Sequence, residues 1–166
     1  MVIRKTVEGD LEQIDLIYKN AKRFMRTTGN LEQWNGPKPN AQTAREDMER
    51  GLGYVLEDDG EILAVFMFST EKDPTYDKIY DGAWICDGPY GVIHRIAVKN
   101  QGQGIFGRCV EFCLERCQSL RIDTHPDNAP MGRALEKLGF CYCGIIYLLS
   151  GESRLAYEKI TASKPT

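Results

Sequence analysis

Apolar residues recur along the chain with two different spacings, and these predict helices and strands in turn. The first run has a helical period and ends before Gly29. It consists of Leu11, Ile14, Ile17, Tyr18, Ala21, Phe24 and Met25. A second predicted helix begins at Asn40, a favourable N-cap residue, and extends through Met48. A short predicted strand, Val2–Lys5, precedes both helices.

The middle and end of the chain contain the residues that predict a sheet. Residues 53–57 and Glu61–Ser69 are separated by Asp-Asp-Gly, a strong hairpin signal. Residues 72–91 are rich in Asp, Tyr, Gly and Pro and predict a long irregular segment. The remaining predicted elements are a strand at 92–98, a helix at 104–118, a strand at 120–124, a helix at 129–138 and strands at 140–149 and 154–159. This order predicts an α/β (α+β) fold in one domain, residues 1–166, with helices packed on a mixed sheet.

The composition adds limits on partners and location. The 166 residues are 42% hydrophobic and 27% charged, as in an ordinary soluble domain. The net charge of −3 argues against a nucleic-acid partner. No apolar run approaches the ~20 residues of a membrane span, so no membrane partner is expected. The N-terminal residues lack the apolar core of a signal peptide, and we therefore expect a cytoplasmic protein.

Six cysteines and two histidines raise the question of metal or thiol chemistry. Cys141 and Cys143 lack C-x-x-C spacing, and no second pair of ligands at a suitable spacing accompanies them in the sequence. We therefore expect no metal site. Cys109, Cys113 and Cys117 recur every four residues on one predicted helical face. This stripe fits either an acyl-accepting thiol near a helix start or small buried side chains, and the packing interpretation is favoured.

Three glycines, Gly102, Gly104 and Gly107, separate a predicted strand from a predicted helix. Their spacing resembles two nucleotide-binding motifs. A phosphate loop requires Lys and then Ser or Thr after its last glycine, whereas Arg108 and Cys109 follow here.

The second motif, the dinucleotide fingerprint, fits better but meets two objections. Asp123 ends the next predicted strand, where a ribose-binding carboxylate belongs. However, three residues intervene between strand and glycines, and the strand carries His94 and Arg95 where an apolar run is usual. A nicotinamide-dependent enzyme therefore stays an alternative.

The glycine loop has features of an anion-binding site that do not depend on either nucleotide-binding motif. Glycines let backbone N–H groups approach a ligand, and the helix that follows presents unpaired N–H groups. The predicted first helical turn contains no acidic residue, and Lys99 and Arg108 add positive charge nearby. The loop therefore predicts an anion-binding site.

At this point the sequence resembles a known family. The segment IHRIAVKNQGQGIFG is similar to motif A of the GCN-type N-acetyltransferases (GNAT), in which an apolar strand ends in Ala-Val and leads to Arg/Gln-Gly-x-Gly. Asn128 and the downstream segment MGRALEKLGF are similar to the family's next helix, which ends in E-K-x-G-F. Phe106 departs from the pattern, because a small residue is usual there.

The resemblance implies a GNAT-like acyl-CoA N-acyltransferase fold, with a mostly antiparallel sheet splayed between two central strands and helices on both faces. It also implies acetyl-CoA as co-substrate, with no metal. The diphosphate would lie on the backbone of Asn100, Gln101, Gly102, Gln103, Gly104 and Ile105. The pantetheine arm would extend along Ile96, Ala97 and Val98, in the splay between their strand and the strand at 140–149, and would bond to Asn128.

For catalysis, the resemblance places a histidine at His94 as the possible base, and a histidine has a reference pKa of about 6.5. Even spacing predicts that His94, Ile96 and Val98 share one strand face, where an N–H of Ile96 or Val98 could hold the oxyanion. The other histidine, His125, follows a strand at a turn and is predicted to cap that loop.

The general acid is the least defined of the predicted catalytic groups. Many relatives place a tyrosine, as the acid, at the position that is Leu135 here. Tyr142 and Tyr147 are the candidate acids nearby in sequence, although core packing also suits them. Water is the third possible proton donor to the thiolate.

Aromatic residues in the irregular segments are candidates for an acceptor pocket or for a second core. They are Trp34, Tyr76, Tyr80, Trp84 and Tyr90, of which Trp34, Trp84 and Tyr90 are the predicted pocket residues. The resulting hypothesis is direct acetyl transfer from acetyl-CoA to a primary amine of a small molecule or peptide. A non-catalytic acyl-CoA-binding sensor is the other alternative, and the oligomeric state stays open.

Overall fold

The computed structural model describes residues 1–161, and it contains each of the predicted helices and strands. The elements are β1 Val2–Lys5, α1 Leu11–Thr27, α2 Ala41–Glu49, β2 Gly53–Asp58, β3 Glu61–Ser69, β4 Gly91–Val98, α3 Ile105–Leu114, β5 Ser119–Thr124, α4 Ala129–Lys137, β6 Cys141–Tyr147 and β7 Ser153–Ile160. Helix α3 ends at Leu114 rather than at residue 118, because the chain must turn before Ser119 pairs with Ile160. None of the helices in this part of the chain is both long and apolar enough to cross a membrane.

The seven strands form one sheet in the order β1-β2-β3-β4-β5-β7-β6. Strands β4 and β5 are parallel, whereas the other neighbouring pairs are antiparallel. The parallel pair is joined at Gly91–Leu120 and Val92–Arg121, after which the two strands diverge. This arrangement confirms the predicted fold class, with a splay between two central strands.

The predicted neighbour across the splay was wrong. The strand at 140–149 was expected beside β4, but the corresponding strand, β6, lies at the sheet edge and pairs with β7. The chain instead returns from α3 directly into β5, which takes the place beside β4. The mostly antiparallel order also excludes the doubly wound parallel sheet that the dinucleotide alternative required.

Helices cover both faces of the sheet. Helices α1 and α2 pack on one face, with Ile14, Val55 and Ala97 in their core. Helices α3 and α4 pack on the opposite face, around Ile93 and Leu135. A third cluster lies beneath residues 70–90 and contains Tyr76, Tyr90, Val92, Ile146 and Ala156.

A β-bulge at Arg95 changes the direction of the side chains along β4. His94 pairs with Met67 and Ala97 with Val65, so the interval on β4 is one residue longer than on β3. Arg95 has a φ of 52°, which is unusual for a residue other than glycine. The bulge therefore places the side chains of His94 and Ala97 on the same face of the sheet, whereas regular alternation would place them on opposite faces.

The bulge is held from both sides of its backbone. The Tyr18 hydroxyl donates to the Arg95 carbonyl at 2.9 Å, and the Arg95 guanidinium donates to Asp47 at 2.6 and 3.1 Å. Ile96 joins Ile93 in the core beneath α3 and α4. The expectation that even spacing places His94 with Ile96 and Val98 was therefore wrong, because the bulge adds a residue between them.

A buried ion pair attaches the irregular segment to the sheet. Arg121 Nε donates to Glu158 Oε2 at 2.8 Å, and Arg121 is 4% and Glu158 0% exposed. The other oxygen, Glu158 Oε1, accepts from the backbone N–H groups of Ile85 and Cys86 at 3.0 and 2.9 Å. The pair thus satisfies its own charges while anchoring the segment.

Two of the predicted pocket aromatics pack against Arg121 of this buried ion pair. The Arg121 guanidinium lies 4.1 Å from the ring centre of Trp84 and 4.0 Å from that of Tyr90. Trp84 Nε1 also donates to the Tyr76 carbonyl at 2.9 Å. Trp84 and Tyr90 therefore contribute to the second core, which was the other interpretation of these residues.

Replacement of Glu158 by Gln is expected to lower the free energy of unfolding by about 3 kcal/mol, because Arg121 would then be a buried charge without a counter-charge. Denaturant titration of the variant measures this loss. Glu115→Gln is the matched control, since Glu115 forms an exposed pair with Arg116, and its effect should stay below ~0.5 kcal/mol. Equal effects of the two changes on the free energy of unfolding would contradict the stabilising role of the Arg121–Glu158 pair.

Candidate active site

Two adjoining cavities lie where β4 and β5 diverge. The first has a volume of about 110 Å³ and a mainly apolar wall that includes Ala97, Val98 and Phe106. The second has a volume of about 210 Å³ and a more polar wall. Both cavities are lined by Met25, Trp34, Ile96, Asn128 and Met131. A ligand that follows β4 from the first cavity therefore reaches the second.

The glycine loop lies at the outer end of β4. Gly102 and Gly104 have φ of +80° and +72°, a left-handed conformation that favours glycine, and Gly104 is the N-cap of α3. No side chain of residues 1–161 caps this helix end, and its first turn contains no acid. The first N–H groups of α3 therefore have no intrahelical partner and are available to an anion.

One of the two basic residues near the loop differs from expectation. Lys99 forms an ion pair with Glu61, so its charge is engaged rather than free for a ligand. Arg108 is exposed on the first turn of α3. The Phe106 ring lines the first cavity and packs against the core, while Gly107 lets α3 approach Leu138, whose Cδ2 is 3.4 Å from an ideal Cβ position. The large ring thus forms a cavity wall.

Asn128 lies at the junction of the two cavities. Its side-chain oxygen accepts from the backbone N–H of Met131 at 3.2 Å and so caps α4. Its amide nitrogen donates to Gln33 Oε1 at 3.0 Å, and Asn30 donates to the same oxygen at 2.8 Å. Arg26 holds this loop through the carbonyls of residues 30, 33 and 34. Gln33 had no sequence signal beyond its place in a predicted loop.

His94 lines the second cavity and has a fixed orientation. Its Nε2 donates to Asp73 Oδ2 at 2.6 Å, and its Nδ1 lies 3.9 Å from Asp123 Oδ2. Burial raises the pKa of Asp73, but hydrogen bonds from His94 and Thr75 outweigh it and lower that pKa to about 2. Asp73 therefore stays ionised and keeps the proton of His94 on Nε2, which leaves Nδ1 as the basic atom.

Asp123, on the other side of His94, is bonded to a buried phenol. The Tyr76 hydroxyl donates to Asp123 Oδ2 at 2.6 Å. Burial, followed by the nearby charge of Asp123, raises the pKa of Tyr76 well above its ordinary value, so the phenol stays a donor. Sequence analysis missed Asp73, Tyr76 and Asp123 as neighbours of His94, because they come from separate parts of the chain.

Some residues with predicted roles lie outside the cavity walls. Tyr142 and Tyr147 lie on the edge strand β6, are 50% and 47% exposed, and pack against Tyr157 and Tyr80 respectively. Leu135 is in the core beneath α4. In the part of the chain described, no tyrosine lines either cavity.

The remaining histidine and the cysteines have structural surroundings. His125 Nδ1 accepts from the backbone N–H of Asp127 at 3.0 Å, as expected of a loop cap. Cys109 and Cys113 are fully buried, and burial raises the pKa of Cys109 to about 12. The packing interpretation is therefore confirmed for Cys109 and Cys113, whereas Cys117 is half-buried against the same core. Over residues 1–161 no group of three or more His, Cys, Asp or Glu side chains is arranged to hold a metal ion.

Comparison with known proteins identifies the family and the fold. Residues 15–140 match the model of the acetyltransferase (GNAT) family. A GNAT acetyltransferase structure from Streptococcus agalactiae 2603 is 32% identical, with 98% of this chain and 96% of that chain covered and a TM-score of 0.89. The chain therefore belongs to the GNAT acetyltransferase family.

More distant structures share the fold. One is a GNAT acetyltransferase from Listeria monocytogenes 4b F2365, with 16% identity, coverage of 96% and 94%, and a TM-score of 0.69. Another is a ribosomal-protein-alanine N-acetyltransferase from Brucella melitensis, with 19% identity, coverage of 97% and 100%, and a TM-score of 0.63. A search of curated proteins found no significant match.

Replacement of Asp73 by Asn should make the unfolding free energy less sensitive to acid. The folded pKa of about 2 lies below the ordinary value of 3.8, so Asp73 stabilises the fold above pH 3.8 by about 2 kcal/mol. Protonation removes this contribution as the pH falls toward 2, and about half is lost by pH 3. Denaturant titrations between pH 6 and 3 should show a shallower decline for Asp73→Asn. An unchanged decline would contradict the assigned ionisation.

Proposed function

We propose that this protein transfers an acetyl group directly from acetyl-CoA to a primary amine. The observation that carries the proposal is the joining of two features at one gap in the sheet. The free edge of β4 runs from the glycine loop, and it ends at a cavity that contains a histidine fixed by a carboxylate. A thioester donor and an amine acceptor would meet at this point.

The donor would occupy the outer part of the gap. The N–H groups of the 100–105 loop and of the α3 start would hold the diphosphate, which suits their lack of an acidic neighbour. The pantetheine arm would lie along Ile96, Ala97 and Val98, where β4 has diverged from β5, and would add to the strand edge. Asn128 would bond to this arm at the junction of the two cavities.

His94 would remove the proton that keeps an amine from attacking. An ammonium group has a pKa near ~10, so the nitrogen lone pair must be freed first. With Nε2–H bonded to Asp73, His94 would accept this proton on Nδ1. The amine nitrogen would then form a bond to the thioester carbonyl carbon, the C–S bond would break, and CoA would leave as a thiolate. The second proton that the nitrogen loses on becoming an amide would pass to water.

The charges that develop during transfer need two further contributions. A backbone N–H of Ile96 or Val98 would stabilise the oxyanion, because β4 offers unpaired groups along the gap. Water would protonate the departing thiolate, since no tyrosine among residues 1–161 lines either cavity. A thiol has a pKa near ~8.5, so its thiolate can leave without a strong acid.

The proposed acceptor is a primary amine of either a small molecule or a peptide. The Brucella melitensis relative is named as a ribosomal-protein-alanine N-acetyltransferase, which represents the peptide alternative. A protein that binds acetyl-CoA without turnover on any amine would instead be an acyl-CoA sensor. The two experiments that follow separate donor binding from chemistry and so distinguish these cases.

Replacement of Gly104 by Ala tests the donor loop. Alanine is strained at a φ of +72°, and relief of that strain would turn the loop N–H groups away from the diphosphate. We expect acetyl-CoA affinity, measured by calorimetry, to fall about tenfold or more. Gly151→Ala is a matched control, because Gly151 also has a left-handed φ, of +90°, and open space around its Cβ position. Equal losses of affinity would contradict the loop assignment.

Replacement of His94 by Gln tests the base. Glutamine keeps a polar group beside Asp73 but cannot accept the ammonium proton, so kcat near neutral pH should fall about 10²- to 10⁴-fold. The affinity for acetyl-CoA should change little, since His94 lies in the second cavity and not in the first. An unchanged rate and an unchanged pH–rate profile, measured by thiol release, would remove His94 from this role.

A further inference from the structure

Arg154 carries a buried charge that is not in an ion pair with any of residues 1–161. The residue lies near the start of β7, is 7% exposed and lines the second cavity. Its guanidinium donates one hydrogen bond to protein, from Nη1 to the Ser153 carbonyl at 2.9 Å. Within residues 1–161 it forms no ion pair with any carboxylate. By contrast, the buried Arg121 is bonded to Glu158 and to a carbonyl.

A buried charge is costly unless it is paired, so the partner of Arg154 is expected outside the protein chain. A guanidinium has five N–H donors in a planar fork, and this fork matches a carboxylate with two parallel bonds. The donors of Arg154 that are not used by Ser153 are therefore free for an anionic ligand in the cavity.

A second polar group that lines the same cavity also lacks a partner among residues 1–161. Thr124 is 2% exposed, and its hydroxyl forms no hydrogen bond to any described residue. The hydroxyls of Thr6 and Ser119 are unpartnered too, but they line neither cavity. An unpaired buried hydroxyl costs about 1–3 kcal/mol, which a polar ligand group would recover.

The same cavity also contains groups of the complementary charge. His94 lies between Asp73 and Asp123, and these two carboxylates favour a cationic amine beside them. Arg154 shares a sheet face with Ala156, which is paired with Asp123, so both charges border one cavity on that face. The cavity thus has an acidic part beside the base and a basic part at Arg154.

We infer that the acceptor is a small amino acid, whose amine lies at His94 and whose carboxylate binds Arg154. This inference rests on the proposed acetyl transfer and specifies its acceptor. The other cation in the wall, Arg95, is already paired with Asp47, so one negative charge suits the site better than a phosphate group. The cavity of about 210 Å³ is below the ~300–1,000 Å³ of pockets for drug-sized ligands, which favours a small acceptor. Polyamines lack the anionic group and are expected to be poor acceptors.

Matched acceptors test the inference directly. L-amino acids and their methyl esters differ at the carboxylate, and esterification also lowers the pKa of the amine. The change that Arg154→Met makes to their kcat/KM ratio therefore isolates the contact to Arg154, because the amine effect is the same in both proteins. The protein should prefer the free acids. Arg154→Met should lower kcat/KM for the acids about 100-fold and change that for the esters less than about threefold. Arg45→Met, which removes an exposed arginine paired with Glu8, should leave both values unchanged.

Thermal stability gives a readout that does not depend on turnover. Arg154→Met removes an uncompensated buried charge and should be at least as stable as the parent protein. An L-amino acid should raise the Tm of the parent protein but not that of Arg154→Met. Thr124→Val should preserve stability and weaken the same response. If Arg154→Met does not fold, Arg154→Lys keeps the charge without the fork and should retain part of the preference for acids.

The outcomes separate this inference from the proposed function. An acid-to-ester kcat/KM ratio that Arg154→Met leaves unchanged would overturn the inference and leave acetyl transfer intact. A Tm response to amino acids that requires Arg154, without turnover of any amine, would support the carboxylate site and overturn the proposed reaction. Absence of both turnover and Tm response would overturn both.

Discussion

The divergence of β4 from β5 is the constraint on which the candidate site depends. Parallel pairing stops after Val92, and the remaining edge of β4 lines a gap instead of bonding to a neighbour. The bulge at Arg95 lies within this free stretch and is held by Tyr18 and Asp47. Because a bulge adds twist and bend to a strand, it directs β4 away from β5 and turns His94 toward its carboxylate neighbours. One local irregularity thus opens the gap and orients the proposed base.

The irregular segment at 70–90 supplies groups that position His94, the proposed base. Asp73 and Tyr76 come from the segment, and they bond to His94 and to Asp123 of the sheet. The segment is tied down by Glu158, which accepts two of its backbone N–H groups and is paired with Arg121. A segment with this little regular structure depends on such side-chain bonds for its order. The buried ion pair therefore supports the site from a distance.

Local patterns were sufficient to predict the elements of the fold and the position of the glycine loop. Helical spacing located α1, and the Asp-Asp-Gly turn located the hairpin of β2 and β3. Gly102 and Gly104 marked the loop because their left-handed backbone is a property of single residues. The exception was the end of α3, where pairing of the next strand stops a helix that its own sequence would extend.

The sequence alone determined the order of elements, the family motif and the candidate base His94, since each depends on neighbouring residues in the chain. Only the tertiary structure decided which strand lies across the gap, which face His94 occupies, and which side chains meet it. The physical reason is that one bulge inverts the alternation of β4, that strand pairing brings Asp123 and Arg154 to one cavity, and that the irregular segment brings Asp73 to His94. Arg154 gave no sequence signal, because an arginine differs from any other only once its burial and its lack of an ion pair within residues 1–161 are known.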